Sequence, residues 1–211
     1  MYLLKLVQVG ENIVNDLQWS FNRLPRTDHK DGQYRLRRYS RIKLREAGGG
    51  TVSEFMKLKS GAFEQSEEYN SFQGGMERQF EDIEDEVIKS VSMLELCTRF
   101  LEASCLPDNN EIELHQMRIM TREETVPVSP EGVHQDGYSY VGIVGVRRHN
   151  IDGGDMLVYK EKSVSPFFAL RLNPGEMAVI NDKELWHSAK PIRTIDINEY
   201  GYMDAFILTA R

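Results

Sequence analysis

The chain has 211 residues, with 26 basic and 33 acidic side chains and a formal net charge of −7. That length supports one sizeable core, and 40% hydrophobic with 28% charged residues is the balance of a globular protein in water. The acidic excess argues against nucleic acid as a partner, because affinity for a phosphate backbone comes from basic patches.

In chain order, Leu3, Leu4, Val7, Ile13, Val14 and Leu17 predict an amphipathic helix over 3–19, interrupted near Gly10. The apolar run at the start is too short for a membrane span. It lacks a basic leader and a clear cleavage site, so no signal peptide is expected. Residues 33–45, QYRLRRYSRIKLR, are the most basic stretch. Their arginines alternate with Tyr34, Leu36, Tyr39 and Ile42, the pattern of a strand with one charged face rather than of a nucleic-acid arm. AGGG at 47–50 reads as a turn. Over 80–104, Phe80, Ile83, Val87, Val91, Leu94, Cys97, Phe100 and Leu101 recur at helical spacing, and acidic residues crowd the first turns, where the helix dipole favours them. Two cysteines, Cys97 and Cys105, make neither a disulfide framework nor a zinc cluster, so a reducing, cytoplasmic compartment is expected.

After Leu106-Pro107 the period changes to two. Strands are predicted at 112–120, 138–147, 155–160, 167–172, 176–181 and 203–210, with turn signals at Asp152-Gly153-Gly154 and Asn173-Pro174-Gly175. Short strands without intervening helices argue for an antiparallel sandwich or barrel. The expected architecture is one domain over 1–211, α+β to mainly β. A helical and extended part, about 1–107, flanks a jelly-roll, cupin-like core, about 108–211.

The stretch EGVHQDGYSY at 131–140 sets His134 and Asp136 two residues apart, on one face if the segment is a strand. Alone, such a pair is as consistent with a simple hydrogen bond as with a metal. His187, in NDKELWHSAKP, follows the strand at 176–181, and a jelly roll brings strands distant in sequence side by side. Two histidines and one carboxylate on one face of an octahedron form the facial triad of non-haem Fe(II) oxygenases, with open positions left over. Zinc more often takes three or four His/Cys ligands.

Over much of its length the chain resembles the Fe(II)/2-oxoglutarate-dependent dioxygenase family that includes bacterial free L-isoleucine hydroxylase. The similarity runs through QYRLRRYSR (33–41), YNSFQGGMERQFEDI (69–83), HQMRIM (115–120), PEGVHQDGYSYVGIVGVRRHNIDGGDMLVY (130–159), ELWHSAKPI (184–192) and GYMDAFILTAR (201–211). The resemblance implies a double-stranded β-helix, Fe(II) held by His134, Asp136 and His187, and O2-dependent conversion of 2-oxoglutarate to succinate as a substrate carbon is oxidised. Related halogenases carry a small residue where Asp136 stands, so a carboxylate there points to hydroxylation.

One position departs from the family. The cation for the distal carboxylate of 2-oxoglutarate is expected on the last strand, in a Gly-Tyr-Arg-Asp setting; here the sequence reads GYMD, with Met203. Arg193, Arg211 and Arg118 are the replacements considered, Arg193 first because it lies six residues after His187. Tyr159 is a candidate second contact to that carboxylate. Gln116 and Arg118, on one strand face, are candidate contacts for a small polar substrate, by resemblance a free amino acid or a metabolite derived from one. The arginines of 35–45 and Glu123, Glu124 or Glu131 are candidates for its carboxylate and amine. Three rival readings stand beside hydroxylation: a tailoring desaturation or cyclisation, a metal-binding jelly roll that has lost cosubstrate turnover, and a metal-dependent isomerase.

Overall fold

In the computed structural model, residues 2–46, 53–59, 63, 65–67, 69 and 72–211 are described. The turn expected at 47–50 lies outside them.

The chain opens with β1 (Leu4–Gln8) and α1 (Glu11–Leu17), followed by a 3-10 turn (Gln18–Arg23). Then come β2 (Arg35–Glu46), β3 (Ser53–Lys57), α2 (Asp85–Ile88) and α3 (Val91–Ser104). The remainder is strand: β4 (Glu111–Thr121), β5 (Tyr140–His149), β6 (Ile151–Gly153), β7 (Met156–Tyr159) and β8 (Phe168–Leu170). β9 (Glu176–Asn181), β10 (Trp186–Ala189), β11 (Ile192–Thr194) and β12 (Gly201–Ala210) complete the chain. Seven strands form one antiparallel sheet in the order β1-β9-β5-β12-β4-β2-β3; β10-β7-β8 and β11-β6 form smaller sheets opposite it. This is a jelly-roll core with flanking helices.

Two helix expectations are corrected. The first half of 3–19 is not helical but is β1, paired with β9 from Leu4↔Ile180 to Gln8↔Glu176. The apolar spacing there suits either period; the reversal at Gly10 decides. Gly10 has φ 108, and Val9 and Gly10 both donate to the carbonyl of Gly175. Gly175 (φ 81) lies so close that a Cβ on it would sit 2.6 Å from the Gly10 carbonyl carbon, so two glycines are required for the strand-to-helix corner. In the second case, residues 80–84 are extended rather than helical. Their backbone is satisfied by β2 and β3 instead: Tyr39 N donates to Glu81 O, Ile83 N to the Ser40 hydroxyl, and Lys57 Nζ to Ile83 O. Helix begins only at α2 and restarts at α3, where Ser90 caps by accepting from Met93 N at 3.1 Å.

The large sheet has two different faces. Ile112 and Leu114 of β4, Ile42 of β2 and Phe206 and Leu208 of β12 pack with Val14 and Leu17 of α1 and Leu96 and Phe100 of α3 in the main core. Alternate residues on the same strands, among them Arg35, Arg37, His115, Met117, Ile119 and Ile207, line a cavity shared with Met156, His187 and Ser188 of the smaller sheet. The period-two rule of a strand thus separates core from site.

Candidate metal centre

His134 and Asp136 share a face only if their segment is a strand. They occupy instead the tight segment before β5, where His134 makes a single antiparallel bridge to His187 of β10 through reciprocal backbone bonds of 3.0 and 2.9 Å. β10 is itself paired with β7, His187 opposite Val158. That bridge, rather than a shared strand face, brings the late histidine to the early pair. The candidate ligand atoms of His134, Asp136 and His187 all lie within 4.8 Å of one another. Nε2 of His134 is 3.7 Å from Asp136 Oδ1, and Nε2 of His187 is 3.4 Å from Asp136 Oδ2. Both histidines are buried.

Each side chain is oriented from behind. The Gly132 carbonyl can only accept, so at 2.9 Å it fixes the proton of His134 on Nδ1 and leaves the Nε2 lone pair facing the site. Nδ1 of His187 has the Asp182 carboxylate 3.6 Å behind it. Asp182, fully buried, also accepts from the backbone N–H groups of Asp136, Gly137 and Tyr138 at 2.8–3.1 Å. Three successive amides converge on one carboxylate because Gly137 takes φ 85, where a Cβ would also strike the Tyr69 ring at 2.9 Å. Sequence reasoning passed over Asp182; its only signal was an Asp five residues before His187. Carboxylates behind metal-binding imidazoles are a recurrent arrangement.

The electrostatics bind these groups tightly together. Burial alone would raise Asp136, but the hydrogen bond and charge of His187 and the charge of His134 hold its carboxyl well below the usual range. Burial would lower His187; Asp136 and Asp182 reverse that and raise it. The converging imidazole and carboxylate donors, with no thiolate nearby, suit Fe(II).

The remaining expected site residues divide. Gln116 and Arg118 point away from the cavity. Even-numbered residues of β4 face the helices, so Gln116 donates to the Ser20 hydroxyl at 2.6 Å. Arg118 makes a bidentate pair with buried Asp204 at 2.6 and 2.7 Å. Both are structural, which corrects their assignment to substrate. Arg193 is also corrected: its side chain is 69% exposed and pairs with Asp152 on the outer surface, because the inward-facing position of β11 is Ile192, packed with Met117, Ile119 and Ile151. Arg211 lies over the Tyr138 ring, outside the cavity. Tyr159 is buried and bonds the Ser188 hydroxyl at 3.0 Å; Ser188 lines the cavity and Tyr159 stands behind it.

An arginine that sequence reasoning missed does line the cavity. Arg148 of β5 is the register partner of Met203 on β12. Its guanidinium donates to the Gly153 carbonyl and packs beside Gly154, where a Cβ would meet both Arg148 Nη1 and Met203 Sδ at about 3 Å. Among the described residues no carboxylate pairs with it.

A jelly roll with two histidines and a carboxylate converging in its mouth is the arrangement of mononuclear non-haem iron oxygenases. The chain belongs to the 2OG-Fe dioxygenase family, whose model matches residues 18–209. It is therefore a dioxygenase whose cofactor is Fe(II) and whose cosubstrates are 2-oxoglutarate and O2. L-isoleucine-4-hydroxylase of Bacillus thuringiensis is 26% identical over 192 residues, 86% of this chain and 77% of that protein. Among solved structures, a BsmA homologue from Methylobium petroleophilum PM1 superposes with a TM-score of 0.78 at 26% identity, covering 95% of this chain and 81% of that one. IDO from Bacillus thuringiensis gives a TM-score of 0.72 at 19% identity, covering 95% and 82%. No helix among the described residues is long and apolar enough to cross a membrane.

Proposed function

We propose that the protein hydroxylates an unactivated C–H bond of a small polar substrate, a free amino acid or a close derivative, with 2-oxoglutarate and O2 converted to succinate and CO2. The observation that carries this reading is the convergence of His134, Asp136 and His187 at the mouth of a cavity with apolar walls and several arginines. His134, Asp136 and His187 would hold Fe(II), which with the 2-oxo acid and O2 supplies an oxidant strong enough to take hydrogen from carbon. The protein's own contribution is orientation. The Gly132 carbonyl and Asp182 fix the two imidazoles, and Val141, Ile143, Met156 and Ile207 exclude water.

Arg148 takes the distal carboxylate of 2-oxoglutarate in this reading. It is the partly buried cation of the cavity that stands beside Met203, and a planar guanidinium suits a carboxylate. The place of work is the cytoplasm, in keeping with two free cysteines, Cys97 and Cys105.

The test is incubation with Fe(II), 2-oxoglutarate and each free L-amino acid, in air and under anaerobic conditions. Succinate should form together with a product carrying one added oxygen. A product short of two hydrogens would mean desaturation or cyclisation, turnover without O2 would mean an isomerase, and metal binding without succinate under any substrate would mean lost turnover.

A further inference from the structure

We propose that Arg37, flanked by Arg35 and Arg78, is the docking point for the substrate's carboxylate; the proposal rests on the oxygenase reading above. Arg37 is on β2, opposite Met117 of β4, and is only 8% exposed. It lines the same cavity as His134, Asp136 and His187. Among the described residues no carboxylate pairs with it. Its guanidinium approaches Met117 Sδ at 3.8 Å and lies over the Phe80 ring at 5.2 Å.

Its neighbours are differently provided for. Arg35 binds Asp31 at 2.7 Å and lies 4.0 Å from Glu131. Arg78 donates to Gln65 Oε1 at 2.9 Å, and Gln65 donates in turn to Asp136 Oδ1 at 2.9 Å. Burial, then repulsion from Arg35 and Arg78, pushes Arg37 down to about 9, with Asp31 and Glu131 only partly opposing. Asp31 and Glu131 act on Arg37 without pairing with it, so a buried cation beside two others is only partly compensated in the free protein. Such an arrangement is retained where a ligand anion completes it.

Two further features match the rest of an amino-acid head group. His115, 5% exposed and lining the same cavity, leaves Nδ1 without a hydrogen bond. Burial and the surrounding arginines hold it neutral, so it offers one donor and one acceptor. Glu131, beside Arg35, is also 3.3 Å from Nε2 of His134, which places an anion between the arginine cluster and the candidate metal site. A ligand with a carboxylate on Arg37 and an ammonium towards Glu131 meets both charges; 2-oxoglutarate has no ammonium and is assigned to Arg148.

The experiment is calorimetric titration of the Mn(II)-loaded protein, which is redox-silent, with 2-oxoglutarate first and then with each L-amino acid and its carboxamide. Wild type, Arg37→Gln and Arg37→Lys are compared. The amino acid that binds wild type best should lose at least about tenfold in affinity on amidation and by the same factor in Arg37→Gln, with Arg37→Lys between them. The carboxamide should bind both proteins alike, and 2-oxoglutarate affinity should be unchanged. Without ligand, Arg37→Gln should melt higher by roughly 2–4 °C, because a poorly compensated buried charge has been removed; a structural arginine would give a lower melting temperature.

Three outcomes overturn the proposal. In one, the acid and the amide are weakened equally. In another, 2-oxoglutarate loses affinity in Arg37→Gln, which assigns the site to the cosubstrate. The third is that no amino acid binds wild type. Failure of the oxygenase reading looks different: wild type would not bind 2-oxoglutarate at all.

Discussion

Asp182 shows how much of the candidate metal site is built by residues outside its His-Asp-His group. Its carboxylate gathers the amides of Asp136, Gly137 and Tyr138 and backs the His187 ring. Asp182→Asn keeps the shape but presents an NH2 to amides that need acceptors. Fe(II) affinity should fall by roughly 10–100-fold, measured by metal titration under anaerobic conditions; unchanged affinity would show that the loop holds itself. The contrast with the ligands explains what could be read from residues alone. His134, Asp136 and His187 carry the types and spacing that a facial triad demands. Asp182 and Arg148 are an ordinary acid and an ordinary arginine until β9, β10 and β12 have been placed. Arg118 shows the opposite error. On an isolated strand it offers a free guanidinium, whereas in the fold Asp204 consumes it.

At the scale of elements, β2 is the strand that gives the cavity its charge. Its odd positions, Arg35 and Arg37, face inward, and its even ones turn to the helices. The element is anchored by Asp31, four residues before Arg35. Burial would raise Asp31, but Arg35, Gln73 and Arg37 outweigh it and hold the carboxyl below its usual value of 3.8. A carboxyl lowered in the folded state contributes stability that is present above the unfolded value and lost as pH falls through the folded one. Asp31→Asn should therefore cost roughly 1.5–3 kcal/mol in urea unfolding at pH 7. The difference from wild type should shrink as pH drops below about 4; a cost independent of pH would contradict the assignment.

The long strands β2, β4, β5, β9 and β12 were readable because alternation over many residues has no other explanation. The misread elements were those decided by distant partners. β1 is a strand because β9 and Gly175 receive it, and 80–84 stays extended because β2 and β3 take its hydrogen bonds. β10 and β11 are too short for a period to show.

Over the whole molecule, the seven-stranded sheet works as a partition, with helices packed on one face and chemistry on the other. The two smaller sheets close the second face and deliver His187 to His134 and Asp136. The cavity between them holds cations at two places, Arg148 beside Met203 and the Arg35–Arg37–Arg78 cluster, and the proposed reading gives each one carboxylate of the reaction. In that reading, Met203 in place of the expected last-strand arginine transfers the cation to the neighbouring strand, since Arg148 is its register partner on β5.

That claim is tested most directly by anaerobic addition of Fe(II) and 2-oxoglutarate, followed by visible absorption, since a 2-oxo acid chelated to Fe(II) gives a weak charge-transfer band. The band should appear in wild type and vanish in His187→Ala. In Arg148→Met it should require at least about tenfold more 2-oxoglutarate, while Arg193→Gln should match wild type. A wild type without the band, or one whose band depends on Arg193 and is indifferent to Arg148, would contradict the account.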